Sequence, residues 1–450
     1  MSHRHRRTTL SALLACAMAV SATASAAAPA APATPSSAPG YRVQSVCGAP
    51  RPGTAACRSL KLVPASLTPA ELQQSATRQS AEANGVARSK VEVTSPIPGY
   101  LTPELLHAAY ALPDETAASQ AQTIAVVDAF DDPSAEADLG VYDAQFGLPA
   151  CTSANGCFRK VNEEGLASPL PRKNGGWASE ESIDVQMAHA ICESCHVLLV
   201  EASSERFSDL AASVEAAVKA AASEISNSYG AAEAAPDLSV AGSYDHPGVA
   251  ITVSSGDCGY LNEACAGEAL GAEFPADSPD VVAVGGTSLS DRHGVWTSKV
   301  WREGGSGCSV LFAAPLWQSA AANFAATGCG TGRAIADVSA VGNPDTGVDV
   351  YDSTPEGGGE PTGWTVFGGT SVSSPIVAAE FALAGGAHGV AYPAATLYAH
   401  VGEEAALYDV VRGKNGSCKH ATICRAAPGY DGPSGVGSPV GLAAFAPPGP

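Results

Sequence analysis

No apolar run in this 450-residue chain is long enough to cross a membrane. The stretch from Leu10 to Val20 is mostly apolar but falls short of the roughly twenty residues that a spanning helix needs, and nothing later is long enough either. Basic residues are also scarce: 24 Lys and Arg stand against 45 Asp and Glu, for a net charge of −21. A chain of that sign repels phosphate backbones and anionic lipid, so no nucleic acid and no membrane is expected as a partner. The same charge suits an acidic medium, where protonation of many carboxylates lowers self-repulsion. No internal repeat of roughly 20–50 residues is evident, which excludes a solenoid or propeller. What remains is a chain with 45% hydrophobic residues, enough for one large core and a smaller appendage.

The chain opens with Arg4, Arg6 and Arg7, runs through the apolar stretch and reaches Ala24-Ser25-Ala26. This is the pattern of a secretory signal with an A-x-A cleavage site, so residues 1–26 are expected to be removed and the protein to be secreted, extracellular and soluble. Arg6-Arg7 leaves the twin-arginine route open beside the general one. Residues 27–40 are rich in Ala, Pro and Ser and read as a flexible leader. Residues 41–95 hold one cysteine pair and a polar helical stretch from Pro69 to about Ala87, a short N-terminal segment that reads as a propeptide candidate. Cys16 apart, the thirteen cysteines fall into close pairs: Cys47/Cys57, Cys151/Cys157, Cys192/Cys195, Cys258/Cys265, Cys308/Cys329 and Cys418/Cys424. Paired cysteines in an exported chain argue for disulfides, and nearest-neighbour bonding is the expected scheme. Cys192-Glu193-Ser194-Cys195 has redox-motif spacing, but after a helix in an exported protein it reads as a staple.

From about Pro96 the texture changes. Short β-rich runs at Thr123 to Val127, His196 to Val200, Val249 to Ser254 and Val281 to Val284 alternate with helical stretches. The clearest helices are Ser179 to Ile191, Phe207 to Ala222 and Ser374 to Ala384. Such alternation predicts an α/β fold with a mainly parallel central sheet and helices on both faces. In such sheets the chemistry gathers at the carboxyl ends of strands and at adjoining helix starts.

Several segments suit those places. Gly368-Gly-Thr-Ser371-Val-Ser-Ser-Pro375 sets a serine in a glycine-flanked turn before a helical run. Backbone N–H groups left free at a helix start can hold the anion that forms on an attacked carbonyl. Trp177-Ala-Ser-Glu180-Glu181-Ser-Ile-Asp184 opens a helix, with Glu180 and Asp184 at i and i+4 on one face. Two carboxyls that close cannot easily both ionise, so one can take a proton from a hydroxyl while the other orients it. Glu181 lies at i, i+3 from Asp184, and spacing alone does not choose between the two glutamates. Ile251-Thr-Val-Ser-Ser-Gly256-Asp257 is a strand that ends in a Gly-rich turn with an acid at its tip, either a turn residue or a group facing a substrate carbonyl. Phe274 to Thr287 reads as a turn and a buried strand without chemistry of its own.

Taken together, from about residue 96 to 445 the chain resembles the sedolisin family of serine-carboxyl peptidases, which share the subtilisin fold. The resemblance rests on the order Glu-x-x-x-Asp, then Ser-Ser-Gly-Asp, then Gly369-Thr-Ser to Pro375. Leu101-Thr-Pro103 to Tyr110, Ser226-Asn-Ser-Tyr-Gly230 and Trp317-Gln318 are supporting landmarks. It implies a peptidase domain over residues 96–450, with Ser371 as nucleophile, Glu180 as general base, Asp184 behind it and Asp257 as the oxyanion-hole carboxyl. It also implies an extended peptide or protein substrate paired along Ser226 to Gly230, action by a monomer, and an optimum between roughly pH 3 and 5. The family binds calcium near its C-terminus. The matching positions are Asp409 and Asp431 through side chains and Val410, Ala427 and Gly429 through carbonyls, an all-oxygen cage for one structural Ca2+ ion. Family precursors usually carry a large folded propeptide, whereas only about seventy residues separate the signal from the catalytic region here.

Two rival readings use the same fold. A neutral subtilisin-like peptidase would take Asp128, at the end of Ile124-Ala-Val-Val, as its first acid, but none of the ten histidines has the His-Gly-Thr context that must follow. Asp128 is therefore read as structural. An inactive, disulfide-stapled binding homologue is the other rival, and the presence of the whole catalytic set argues against it.

Overall fold

The alternation of apolar residues along Thr123–Ala129 shows how the core is laid out. Ile124 and Val126 belong to one buried cluster with Ile183, Met187, Val372 and Ile376, while Ala125 and Val127 belong to another with Phe207, Leu210 and Val214. Successive side chains of a strand point to opposite faces, so this strand is covered on both sides, as a parallel sheet requires. The Gly175–Ile191 and Thr370–Ala384 helices lie on the first face and Phe207–Lys219 on the second.

These elements come from a computed structural model that describes residues 40–64, 97, 99–355 and 362–447. The expected signal, most of the leader, the helical stretch from Pro69 and the boundary near residue 96 lie outside the described residues. From edge to edge the central sheet runs Val295–Val300, Val282–Arg292, Ala250–Ser254, Glu224–Asn227, Thr123–Ala129, His196–Ala202 and Phe158–Asn162, with Val338–Val341 also paired to Val282–Arg292. All neighbours are parallel except the hairpin of Val282–Arg292 with Val295–Val300. The strands and helices expected on the described residues are present. Val282–Arg292 is longer than its reading, because its second half continues into the hairpin.

A buried polar lattice explains the Trp317-Gln318 landmark. Gln318 bonds both the N–H and the carbonyl of Ala334, at 3.1 and 2.8 Å. Arg333 pairs with Asp337, which accepts from the Ala283 N–H at 2.8 Å and so ties the lattice to the central sheet. All six disulfides join the expected nearest neighbours. No helix among the described residues is long and apolar enough to cross a membrane.

Residues 41–64 do not stand apart from this frame. Tyr41–Ser45 pairs with Leu60–Pro64, which pairs in turn with Gly363–Gly368 just before the Ser371 helix. Between them, Ala56 and Cys57 pair antiparallel with Gly230 and Tyr229.

Candidate active site

The Thr370–Ala384 helix starts four residues earlier than its reading, so Ser371 lies in the first turn rather than before it. Pro375 falls inside the helix and has no N–H to offer the Ser371 carbonyl. That carbonyl accepts from Ser228 Oγ at 3.3 Å instead. Gly369 caps the helix at φ +101°, a conformation costly for any other residue. A β-carbon there would also collide with the Arg58 carbonyl oxygen and lie 2.6 Å from Asp257 Oδ2.

Ser371, Glu180, Asp184 and Asp257 converge, all buried. Ser371 Oγ donates to the Ser228 carbonyl at 3.2 Å. The Ser371 and Ser59 hydroxyls lie against the Glu180 carboxyl and pull its pKa back, though neither lines up as a full hydrogen bond. Burial, with Asp128 beside it, nevertheless holds Glu180 well above the ordinary carboxyl range. Asp184 is raised for the same reasons, first burial and then Asp128 and Glu180, and its Oδ1 lies 2.9 Å from Ser228 Oγ. Glu181 turns elsewhere: it accepts from the Asp132 N–H at 3.2 Å among Glu201, Asp128 and Lys160. The two glutamates that spacing could not separate therefore face different clusters.

Asp257 closes the other side. Its Oδ1 accepts from the Thr370 N–H at 2.7 Å and the Thr370 hydroxyl at 2.9 Å, while Oδ2 is buried without a partner. Burial raises its pKa to about 7, although the Thr370 bonds and the nearby Arg58 charge act against that rise. At acidic pH Asp257 is thus protonated, with Oδ2 free to donate. The Ser371 N–H already donates to the Arg58 carbonyl oxygen at 2.9 Å. One pocket holds a hydroxyl, a pair of carboxyls and two donors, the Ser371 N–H on the Arg58 carbonyl oxygen and a protonated Asp257 Oδ2 without a partner.

Asp128 was missed by sequence reasoning as a member of this group. Its buried carboxyl, raised to about 8 by burial and by Glu201, acts directly on Glu180 and Asp184. Its place at the carboxyl end of a central strand was the available signal. His189 points away, with Nε2 2.9 Å from the Pro149 carbonyl and 3.4 Å from Asp143.

Of the calcium candidates, Asp409, Ala427, Gly429 and Asp431 come together, with Ala427 and Gly429 meeting the carboxyls through their N–H groups. Asp431 is buried and raised to about 7, first by burial, with Asp409 adding repulsion. Asp431 Oδ2 accepts from the Ala427 N–H at 2.9 Å and Asp409 Oδ2 from the Gly429 N–H at 3.1 Å, while Asp409 Oδ1 is buried without a partner. Two facing carboxyls, one with an orphaned oxygen, fit a hard divalent cation. Two other groupings, Cys151 and Cys157 with His189 and Cys258 and Cys265 with Glu268, rest on disulfide sulfurs and offer no thiolate.

No family model matches the chain. Kumamolisin from Bacillus sp. (strain MN-32) is 36% identical over 209 residues, which cover 43% of this chain and 35% of that protein. Sedolisin from Pseudomonas sp. (strain 101) is 31% identical over 212 residues, covering 42% and 33%. The matched region thus spans about a third of the length of these relatives. The solved structure of Pseudomonas sedolisin, a serine-carboxyl proteinase complexed with two molecules of pseudo-iodotyrostatin, aligns over 76% of this chain and 95% of that one. Its TM-score of 0.61 at 23% identity shows that the two share one fold, the subtilisin-like α/β architecture expected from the sequence.

Proposed function

We propose that the chain is a member of the sedolisin family, a secreted serine-carboxyl endopeptidase that hydrolyses proteins at acidic pH. The observation that carries the reading is the Arg58 carbonyl oxygen held by the Ser371 N–H, with the unpartnered Asp257 Oδ2 beside the same Gly369 turn and the Glu180 carboxyl close to Ser371. In the proposed reaction Ser371 Oγ attacks the substrate carbonyl carbon and gives its proton to Glu180. Asp184 sets the orientation and protonation of Glu180. Protonated Asp257 and the Ser371 N–H hold the oxyanion. Glu180 then returns the proton to the leaving amine, and water releases the acyl group by the reverse roles. The direct test is hydrolysis of a denatured protein at pH 4 by wild type and by Ser371→Ala. Equal hydrolysis by both would remove Ser371 from the mechanism.

The same reading includes one structural Ca2+ held by Asp409 and Asp431 with the Val410, Ala427 and Gly429 carbonyls. The ion would neutralise two carboxylates that otherwise repel each other. Chelator is expected to lower the thermal midpoint by about 3–4 °C, given roughly 2–3 kcal/mol from a site filled a hundredfold above its Kd and the large unfolding entropy of a domain this size. Asp431→Ala is expected to melt at the same temperature with and without chelator. A wild-type melting curve indifferent to chelator would remove the ion from this scheme.

Stability should also follow acid. Glu224 and Asp128, raised to about 8, and Asp352 and Asp143, raised to about 7, owe their shifts chiefly to burial. Their folded pKa values exceed the unfolded ones near 4, so the folded state binds more protons between those limits. The stabilisation is complete below about pH 4 and is lost as pH rises through 7 to 8. The thermal midpoint is therefore expected to be higher at pH 4.5 than at pH 8. A rise in the midpoint over that interval would contradict the burial of these groups in protonated form.

A further inference from the structure

The chain's own segment lies across the candidate active site in the manner of an extended substrate. Ala56 and Cys57 pair antiparallel with Gly230 and Tyr229, and the Arg58 N–H donates to the Ser228 carbonyl at 2.9 Å. The Arg58 carbonyl receives the Ser371 N–H, and the Ser59 side chain lies against Glu180. Beyond it, Leu60 and Lys61 pair with Gly368 and Phe367. Among the described residues, the carbonyl held by the Ser371 N–H is that of Arg58, which would make Ser59 the leaving amine.

The Arg58 side chain fills a pocket made for it. Nη1 and Nη2 meet the two oxygens of Glu268 at 2.9 and 3.0 Å, and Nη2 reaches Glu273 Oε1 at 2.8 Å. Nε meets Glu273 Oε2 at 3.2 Å, and Nη2 also reaches the Gly230 carbonyl at 3.2 Å. Asn262 holds Glu273 from behind at 2.7 Å. Arg58 is 3% exposed and Glu273 1%. A planar guanidinium donates in a fork that matches a carboxylate edge, whereas an ammonium meets it as a point charge. A neutral side chain would leave both carboxylates without a cation.

We propose that Glu268 and Glu273 form an arginine-selective pocket for the residue on the acyl side of the cut bond, and that the Arg58–Ser59 bond is the enzyme's first substrate. This rests on the peptidase reading above. In the self-cleavage, Ser371 Oγ bonds to the Arg58 carbonyl carbon and the Arg58–Ser59 C–N bond breaks. The hydroxyl proton passes through Glu180 to the Ser59 amine, and water then frees the Arg58 carboxylate and restores Ser371. Cys57 is bonded to Cys47, on the same side of the cut, so no disulfide ties the released piece to the rest. Its departure would open the pocket to other chains.

The test uses the full chain, acidified, followed by intact mass and N-terminal sequencing, then a peptide library scored by mass spectrometry. Wild type is expected to expose a new N-terminus at Ser59, while Ser371→Ala keeps the bond. Otherwise identical peptides with Arg before the cut are expected to exceed those with Leu by about 100-fold or more in kcat/KM. Lys peptides should fall between the two. Glu273→Gln should narrow the Arg-to-Leu ratio to within about tenfold. The library result on wild type stands even if that variant fails to fold. Efficient cleavage without preference for arginine, or an Arg58–Ser59 bond that stays intact in an active enzyme, would overturn this proposal and leave the peptidase reading standing. Cleavage of no library peptide by wild type would overturn both.

Discussion

Ser371→Ala is expected to fold, to keep its thermal midpoint within a few degrees of wild type, and to lose peptidase activity by about 10⁴-fold or more in kcat. The small structural cost follows from the environment of the hydroxyl. Ser371 Oγ makes one hydrogen bond, at 3.2 Å to the Ser228 carbonyl, worth about 1 kcal/mol. That carbonyl also accepts the Arg58 N–H at 2.9 Å, so the substitution does not orphan it. The helix start is held independently, by Asp257 on the Thr370 N–H and by Arg58 on the Ser371 N–H, neither of which needs the hydroxyl. The large catalytic cost follows because Glu180, Asp184 and Asp257 would then surround no nucleophile. Hydrolysis of denatured protein, measured with melting curves for both forms, checks the two halves together. Activity within about tenfold of wild type, from a well-folded variant, would end the assignment of Ser371.

What could be read from the chain beforehand divides along a physical line. The strands at Thr123, His196 and Ala250 were legible because burial on both faces demands unbroken apolar runs of fixed length. The i, i+4 spacing put Glu180 and Asp184 on one face, and the helix carries that relation intact. The start of the Ser371 helix was misplaced for a local reason. Ser and Thr are weak helix formers and Pro375 reads as a first-turn residue, but here Ser228 satisfies the carbonyl that the proline leaves free. Asp128 gave only its place on a strand, because its partners come from a helix more than fifty residues later. The Arg58 pocket gave no signal at all. Its partners lie 210 and 215 residues away, and only the folded chain brings a buried arginine onto two carboxylates.

Activity against pH is expected to form a bell in the acidic range, with little turnover at pH 7.5. A histidine base would titrate near pH 6.5 and support neutral hydrolysis. In the proposed mechanism the base is a glutamate, and its surroundings bear on both limbs of the bell. On the acid side the Glu180–Asp184 pair must give up a proton, and burial with Asp128 nearby holds both above the usual carboxyl range. Two such close groups titrate as a pair, so the limb belongs to both rather than to either alone. On the alkaline side Asp257 must keep its proton to donate to the oxyanion, and it loses that proton as pH rises through about 7. Ordinary carboxyl values suggest an optimum at roughly pH 3 to 5, and these upward shifts move it toward the upper end of the acidic range. Asp257→Asn separates the limbs, because an amide offers a donor at every pH. Its alkaline limb is expected to move up by a unit or more while the acid limb stays, even if the maximal rate falls by about 10- to 1,000-fold from a misplaced donor. The measurement is kcat/KM against pH for wild type and Asp257→Asn on one peptide. An alkaline limb unchanged in the variant would mean that Asp257 does not set it, and a wild-type plateau at neutral pH would mean that no carboxyl acts as the donor.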